Sequence, residues 1–364
     1  MSEKIKAVLK IFAMLIAAVL IFAAAFICWL TFTEYKPAPS EPIEIEGLDP
    51  QILEKGKNIR LLSFNIGYCN LGEESDFFMD GGENIRNGDK ELVQKNLEGV
   101  LEIIDRADAD IMLIQEADVK STRSFNMNQV VSLAQSTEGN SAFAPNYVCG
   151  FVPFPWPPIG KVESGIMTLS LFAMEEAERI SLPCPFSWPV SAANLKRCLL
   201  ISRYNIEGTE KQLVTVNLHL EAYDDGEGKI AQTKMLWDIL ETEYEKGNYV
   251  VAGGDFNQTF PGAIDKFPLK DPDFWAPGVL SEDDLPRGWR YVYDDSLPTC
   301  RLLNKPYNPD DGSAQYYVID GFIISPNVEL LSAKTLDYGF RYSDHSPVLM
   351  EISLKENELE KTEK

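Results

Sequence analysis

Apolar residues are distributed along this chain in three ways. From Ile11 to Thr33 they form one continuous run with no charged side chain. Beyond it, short apolar runs recur between polar and turn-forming residues: Ile59–Phe64, Ile111–Gln115, Gly165–Leu171, Cys198–Arg203, Leu213–Leu218, Tyr249–Ala252, Tyr317–Ile324 and Pro347–Ile352. Runs of this length read as buried strands. Between some of them the spacing becomes helical. Leu92, Leu97, Val100, Leu101, Ile103 and Ile104 share one face, and Ile230, Met235, Leu236, Ile239 and Leu240 share another. Strand and helix do not alternate strictly, and long loops and strand pairs intervene. The pattern therefore predicts an α/β (α+β) domain of two packed sheets rather than a doubly wound parallel sheet.

A helix needs about 20 apolar residues to cross a bilayer, whereas the apolar core of a signal peptide takes about 7–15. The Ile11–Thr33 run meets the first length and exceeds the second. Its small residues, Ala23, Ala24 and Ala25, lie inside the run rather than after it. It therefore reads as a membrane span, with a cleaved signal peptide as the alternative. Lys4, Lys6 and Lys10 precede it against the single acid Glu3, and Glu34 opens the other flank. Positive flanks stay in the cytoplasm, so the bulk of the chain is expected on the extracytoplasmic side of a cell membrane. Trp29 and Tyr35 suit the interface. Pro37, Pro39, Pro42 and Pro50 among charges suggest a linker. The expected organisation is a tail over 1–10, a transmembrane helix over 11–33, a linker over 34–57, one catalytic domain over 58–354 and a charged tail over 355–364.

Charge and cysteine content narrow the function. Among 364 residues, 56 Asp and Glu against 33 Lys and Arg give a net charge of −23. That argues against a protein that grips nucleic acid through a basic surface, but not against an enzyme that recruits cations to meet a phosphate. Two histidines exclude a histidine-rich metal site. The six cysteines lack close metal-type pairs, and their spacing fits either one or two disulfides or free thiols. There is no glycine-rich nucleotide loop and no Gly-x-Ser-x-Gly elbow, which counts against kinases, dinucleotide enzymes and common serine hydrolases.

The chemistry sits where the strands stop. Ser63-Phe64 runs into Asn65, Ile114-Gln115 into Glu116, and Asn217-Leu218 into His219. Tyr249–Ala252 leads through two glycines to Asp255-Phe256-Asn257, Val318-Ile319 precedes Asp320-Gly321, and Ser343-Asp344-His345-Ser346 stands before the last strand. Both histidines of the chain are in this set. A buried strand that closes on a carboxylate or amide bears a desolvation cost unless something binds it. Gathered at one sheet edge, several carboxylates suit a hard divalent cation with oxygen ligands. Histidine there suits substrate contact or proton transfer. The implied chemistry is metal-assisted attack of water on a phosphoester.

These motifs resemble the endonuclease/exonuclease/phosphatase superfamily, which includes deoxyribonuclease I-like nucleases, neutral sphingomyelinases and inositol-polyphosphate 5-phosphatases. The resemblance covers about residues 58–354. It is carried most by Gly254-Asp255-Phe256-Asn257, Ser343-Asp344-His345-Ser346-Pro347 and Gln115-Glu116. It implies a four-layer α/β/β/α sandwich and a Mg²⁺ cofactor, with Mn²⁺ as the alternative. By position, Asn65, Glu116 and Asp344 would hold the metal. Asp255 would bind or activate water, Asn257 would steady the phosphate, and Asp320 would orient His345. His345 would contact phosphate or act as base, and His219 would stabilise the transition state or leaving group. The chain departs from the family at Gly67, where many members carry a second polar group after the first strand.

Three further stretches bear on substrate. Phe151–Ile159, rich in aromatics and prolines, could dip into a membrane, line an apolar pocket or pack on the domain's own core. Lys196-Arg197 could reach a phosphate or form a surface pair. The acids of Asp76–Gly82 could gather cations or face solvent. The leading expectation is a membrane-anchored, extracytoplasmic phosphoesterase acting on a lipid headgroup or small phosphoester. An anchored extracellular nuclease and a catalytically inactive binding module of the same fold are the alternatives. No protein partner is expected.

Overall fold

The computed structural model describes residues 3–48, 50–224 and 226–355. The expected charged tail therefore lies, apart from Lys355, outside the described residues. The apolar run is one helix, α1 (Glu3–Phe32), of 30 residues. There follow β1 (Ser40–Pro42), β2 (Ile45–Gly47), β3 (Ile59–Asn65), α2 (Lys90–Ala107), β4 (Ile111–Asp118), α3 (Gln129–Gln135), β5 (Asn140–Val152), β6 (Gly160–Ser170), β7 (Glu176–Ser181), β8 (Cys198–Asn205), β9 (Gln212–His219), α4 (Glu227–Glu245) and β10 (Tyr249–Asp255). The last third carries two minor pairs, β11 (Gln258–Thr259) with β12 (Gly278–Val279), and β14 (Cys300–Arg301) with β15 (Tyr316–Tyr317). It also carries β13 (Arg290–Val292), β16 (Asp320–Ile324), β17 (Val328–Thr335) and β18 (Val348–Leu354).

Two seven-stranded sheets organise these elements. The first runs β1-β7-β8-β9-β10-β16-β13 and the second β17-β18-β3-β4-β6-β5-β2. Residue parity explains how they stack. In β3, Leu61 joins the core between the sheets, while Leu62 and Phe64 turn outward to meet Val93, Leu97 and Val100 of α2. In β10, Val251 faces the inter-sheet core, while Val250 and Ala252 meet Leu236 and Leu240 of α4. Both faces of each sheet are covered, so the strands read as continuous apolar runs rather than alternating ones. The result is the expected four-layer α/β/β/α sandwich, preceded by one long apolar helix. α2 starts on Asp89, whose side chain accepts the Leu92 amide at 3.0 Å, and stops where Asp108 turns left-handed at φ +49°.

Some expectations change. The 34–57 stretch, read as a linker, adds an edge strand to each sheet: β1 pairs with β7 and β2 with β5. Its composition misleads because three-residue edge strands tolerate proline and charge. The Tyr317–Ile324 run is divided, with Tyr317 pairing with β14 and Asp320–Ile324 pairing with β10. β7 and β17 carry too many exposed or half-exposed polar residues to show as apolar runs, and β5 is interrupted by the buried polar residues Asn140, Ser141 and Asn146. All six cysteines are free thiols, and Cys69, Cys149, Cys198 and Cys300 are buried.

Candidate active site

The same parity that builds the core delivers the polar set. In β10, Val251, Gly253 and Asp255 share the inter-sheet face, as Leu213, Asn217 and His219 do in β9 and Phe322 and Asp320 in β16. Strand register then aligns three of them: His219 lies opposite Asp255 in the parallel β9–β10 pair, and Asp255 opposite Asp320 in the antiparallel β10–β16 pair. On the facing sheet, Asn65 lies opposite Gln115. Glu116 is out of parity. A register shift between Ile114 and Ala117, and a left-handed backbone at φ +58°, turn it back into the cleft. Non-glycine residues rarely hold that conformation, and Asn257 shares it at φ +49°.

The two sheets meet through these side chains. Asn65 Nδ2 donates to Asp255 Oδ2 at 3.0 Å and to Glu116 Oε1 at 3.3 Å, and its Oδ1 accepts the Gly67 amide at 3.0 Å. His345 Nδ1 lies 2.8 Å from Asp320 Oδ2, and its Nε2 lies 3.8 Å from Asp255 Oδ2 and 3.9 Å from Asp344 Oδ2. His219 Nε2 lies 3.5 Å from Asp255 Oδ2 and 3.9 Å from Glu116 Oε1. The Asn257 amide donates to Asp255 Oδ1 at 2.9 Å, and its Nδ2 donates to the Leu220 carbonyl at 2.9 Å. All eight residues singled out in the sequence thus fall in one cleft at the strand ends. The glycine at position 67 has a reason too: a Cβ there would come 2.8 Å from Asp344 Oδ1.

Electrostatics follow from packing like charges out of water. Burial raises the carboxyls of Glu116 and Asp255, and Asp320 pushes Asp255 further. Burial, with Glu116 adding to it, lifts Asp344 to about 7. Burial, then the Arg197 guanidinium, drives His219 well below its ordinary value and keeps it neutral. Burial also opposes charge on His345, but Asp320 first and then Cys300, Asp344 and Asp255 overcome it, and the ring is held well above its ordinary value. Buried like charges of this kind call for a counter-cation. Asp255, Asp320 and His345 present ligand atoms within 4.8 Å of one another, as do Cys300, Asp344 and His345. Asp320 Oδ1 is buried without a hydrogen-bond partner.

Stretches singled out in the sequence for other reasons supply the surroundings of the site. Arg197 and Lys196 are not a surface pair. Arg197 is buried beside Glu221 at 3.6 Å and against the His219 carbonyl, while Lys196 Nζ donates to Glu34 Oε1 at 2.8 Å. Gln115 Nε2 donates to Asn217 Oδ1 at 2.8 Å and ties the two sheets behind the cleft. In the Asp76–Gly82 loop, Asp76 accepts the Asn84 amide at 2.9 Å, and Asp80 accepts the Tyr223 hydroxyl at 2.9 Å. Pairings of this kind depend on residues far apart in the chain, so no local motif marks them.

The sequence pattern of the Endonuclease/Exonuclease/phosphatase family matches residues 62–345, and the chain belongs to that family. Solved structures share its fold at low identity. An endonuclease/exonuclease/phosphatase from Beutenbergia cavernae is 16% identical, with a TM-score of 0.54 over 82% of this chain and 72% of its own. One from Bacteroides vulgatus is 15% identical, with a TM-score of 0.51 over 82% of this chain and 100% of its own. ANGEL2, a 2',3'-cyclic phosphatase solved with adenosine-2',3'-vanadate, is 15% identical, with a TM-score of 0.54 over 86% of this chain and 99% of its own. No curated protein matches the chain in sequence.

Proposed function

We propose that the protein is a membrane-anchored, extracytoplasmic, Mg²⁺-dependent phosphoesterase. Its substrate would be a phosphodiester or phosphomonoester, with a lipid headgroup or small phosphoester favoured over nucleic acid. The observation that carries the catalytic part is the convergence of Asn65, Glu116 and Asp255 from facing sheets beside the Asp320–His345 pair. Family membership supports phosphoester chemistry, and the 2',3'-cyclic phosphatase activity of ANGEL2 fits the same class. The anchor rests on α1, whose apolar window is solvent-facing throughout and lies near the N-terminus.

The donor set fits a hard divalent ion. Glu116 and Asp344 would hold it through carboxylate oxygens that suit Mg²⁺ or Mn²⁺, and Asn65 would join them with its amide reversed, since its Oδ1 now accepts the Gly67 amide. When bound, the ion supplies Lewis-acid polarisation and charge neutralisation at the phosphate. The chain's own residues do the rest. Asp255 Oδ2, fixed by Asn65, orients the attacking water, while its Oδ1 is occupied by the Asn257 amide. Asp320 Oδ2 is the acceptor at His345 Nδ1, so Nδ1 carries a proton and Nε2 is aimed at the cluster. The imidazolium then donates from Nε2 to a phosphate oxygen as negative charge grows. Neutral His219 offers Nε2 on the other side of Asp255, where it serves the leaving group.

The full chain in detergent with Mg²⁺, assayed on sphingomyelin, phosphoinositides, a chromogenic diester and plasmid DNA, tests the reading. Hydrolysis of a lipid or small diester, lost in Asp255→Ala and His345→Ala, is expected. Faster degradation of plasmid than of lipid would instead assign a nuclease. Hydrolysis unaffected by both substitutions would overturn the mechanism.

A further inference from the structure

The last turn of α1 is packed into the catalytic domain. Leu30 is buried with Tyr147, Cys149, Val152 and Ala192, and Trp188 Nε1 donates to Thr31 Oγ1 at 3.0 Å. The β5–β6 hairpin then runs back along the helix. A Cβ on Gly150 would meet the Trp29 ring at 3.2 Å, and the Phe151 ring lies 6.1 Å from that of Phe26, one turn nearer the N-terminus. Past that point the hairpin tip is bare and aromatic: Phe154 is 74% exposed and Trp156 88% exposed. Trp188, bonded to the last turn of α1, stays 61% exposed. Large exposed apolar groups clustered in this way mark an interaction surface.

The helix says which surface. A hydrocarbon layer of about 30 Å, crossed at about 1.5 Å per residue from Ile11, ends near Leu30. Phe26 and Trp29 therefore lie at or just inside its outer boundary, and Phe151 beside them lies at the same depth. Phe154 and Trp156 follow Phe151 within five residues of that boundary, and tryptophan favours it because the ring is apolar and the N–H is polar. The catalytic cleft is on the same end of the sandwich. β4 passes Glu116 and two residues later sets Asp118 opposite Ser164 of β6, the strand that leaves the hairpin. Arg123 joins the two regions, bonding Asp118 and Ser164 while lying 3.7 Å over the Tyr68 ring.

We infer that the β5–β6 tip and the Trp188 turn are seated in the outer-leaflet interface of the bilayer that α1 crosses, so that the cleft takes a phospholipid headgroup from that same leaflet. This rests on the anchored-phosphoesterase reading and deepens it.

The full chain is reconstituted into phosphatidylcholine vesicles carrying lipids spin-labelled near the headgroup or deep in the acyl chain. Trp29 lies at the boundary itself, so the measurement is made in a Trp29→Phe background: tryptophan emission is expected to be quenched best by the shallow label, and adding Trp156→Phe with Trp188→Phe should remove most of that quenching. Emission from both residues quenched by aqueous iodide, with no lipid quenching, would overturn the seating. So would quenching that changes with protein density in the vesicles, which would assign the patch to a second copy. Replacing an anchoring aromatic removes enough buried area for about a tenfold effect. Trp156→Ser should therefore lower turnover of vesicle lipid about that much, while a soluble chromogenic diester, remote from the patch, should change by no more than about twofold. Equal loss on both substrates would overturn the same-leaflet delivery. Quenching requires no turnover, so a chain that hydrolyses nothing fails the enzymatic reading while the fluorescence still decides the seating.

Discussion

Asp320 Oδ2 lies 2.8 Å from His345 Nδ1, and the two residues come from opposite sheets. Asp320 opens β16 of the first sheet, and His345 precedes β18 of the second. The pair fixes which nitrogen carries the proton and leaves Nε2 facing Asp255 and Asp344. Asp320→Asn keeps the shape but removes the charge that sustains the imidazolium. Its kcat is expected to fall by about 10²–10⁴, the usual range for a general acid–base contribution. KM should change little, and the alkaline limb of the kcat–pH profile should shift to lower pH, because the His345 ring then loses its proton at lower pH.

Glu116, Asp255 and Asp344 are charges crowded out of water, so the site is costly to the fold until a cation arrives. Glu116→Gln is therefore expected to raise the melting temperature in EDTA and to lose most of the further rise produced by Mg²⁺. For the unsubstituted chain that rise corresponds to about 2.7 kcal/mol at a hundredfold excess over Kd. Differential scanning calorimetry with and without Mg²⁺ checks both signs. A lower melting temperature in EDTA would contradict this account of the cluster.

Gly254 holds φ at +151°, and a Cβ on it would stand 1.9 Å from the Leu218 carbonyl oxygen. No side chain can yield there, because the obstacle is backbone in the neighbouring β9. Gly254→Ala is expected to cost about 3 kcal/mol or more of stability. It should also loosen the row that pairs Asp255 with His219. The urea midpoint and the activity of the folded fraction measure the two effects.

Acid sensitivity has a source far from the cleft. Burial alone would raise the Glu243 carboxyl, but Lys246, Arg203 and Asn248 hold it below its ordinary value of 4.5. The folded value lies below the unfolded one, so this stabilisation is complete above the unfolded value and is lost as pH falls through the folded one. Glu243→Gln should lower the melting temperature at neutral pH and flatten its decline between about pH 5 and pH 3. An unchanged slope would show that other carboxylates dominate acid unfolding.

Much of the fold was legible because both faces of each sheet are covered. Leu61-Leu62 and Val250-Val251 are apolar at successive positions, and runs of this kind stand out without knowledge of their partners. Edge strands did not stand out. Ser40–Pro42 contributes backbone pairing and little side-chain burial, so its composition remained that of a loop. The site residues were legible because desolvation makes a polar residue at the end of an apolar run conspicuous, as with Asn65, His219 and Asp255.

By itself the sequence determined an apolar helix, a two-sheet α/β domain and a polar set at the strand ends. Each follows from local burial, which the order of apolar and polar residues records directly. Only the tertiary structure decided that Glu116 turns inward at a bulge, that Arg197 is buried behind His219, and that Gly67 must be bare to spare Asp344. It also decided that α1 is packed against the aromatic hairpin. These depend on which backbones lie within a few ångströms of one another across long stretches of chain. Strand register and sheet packing set those distances, and no local pattern encodes them.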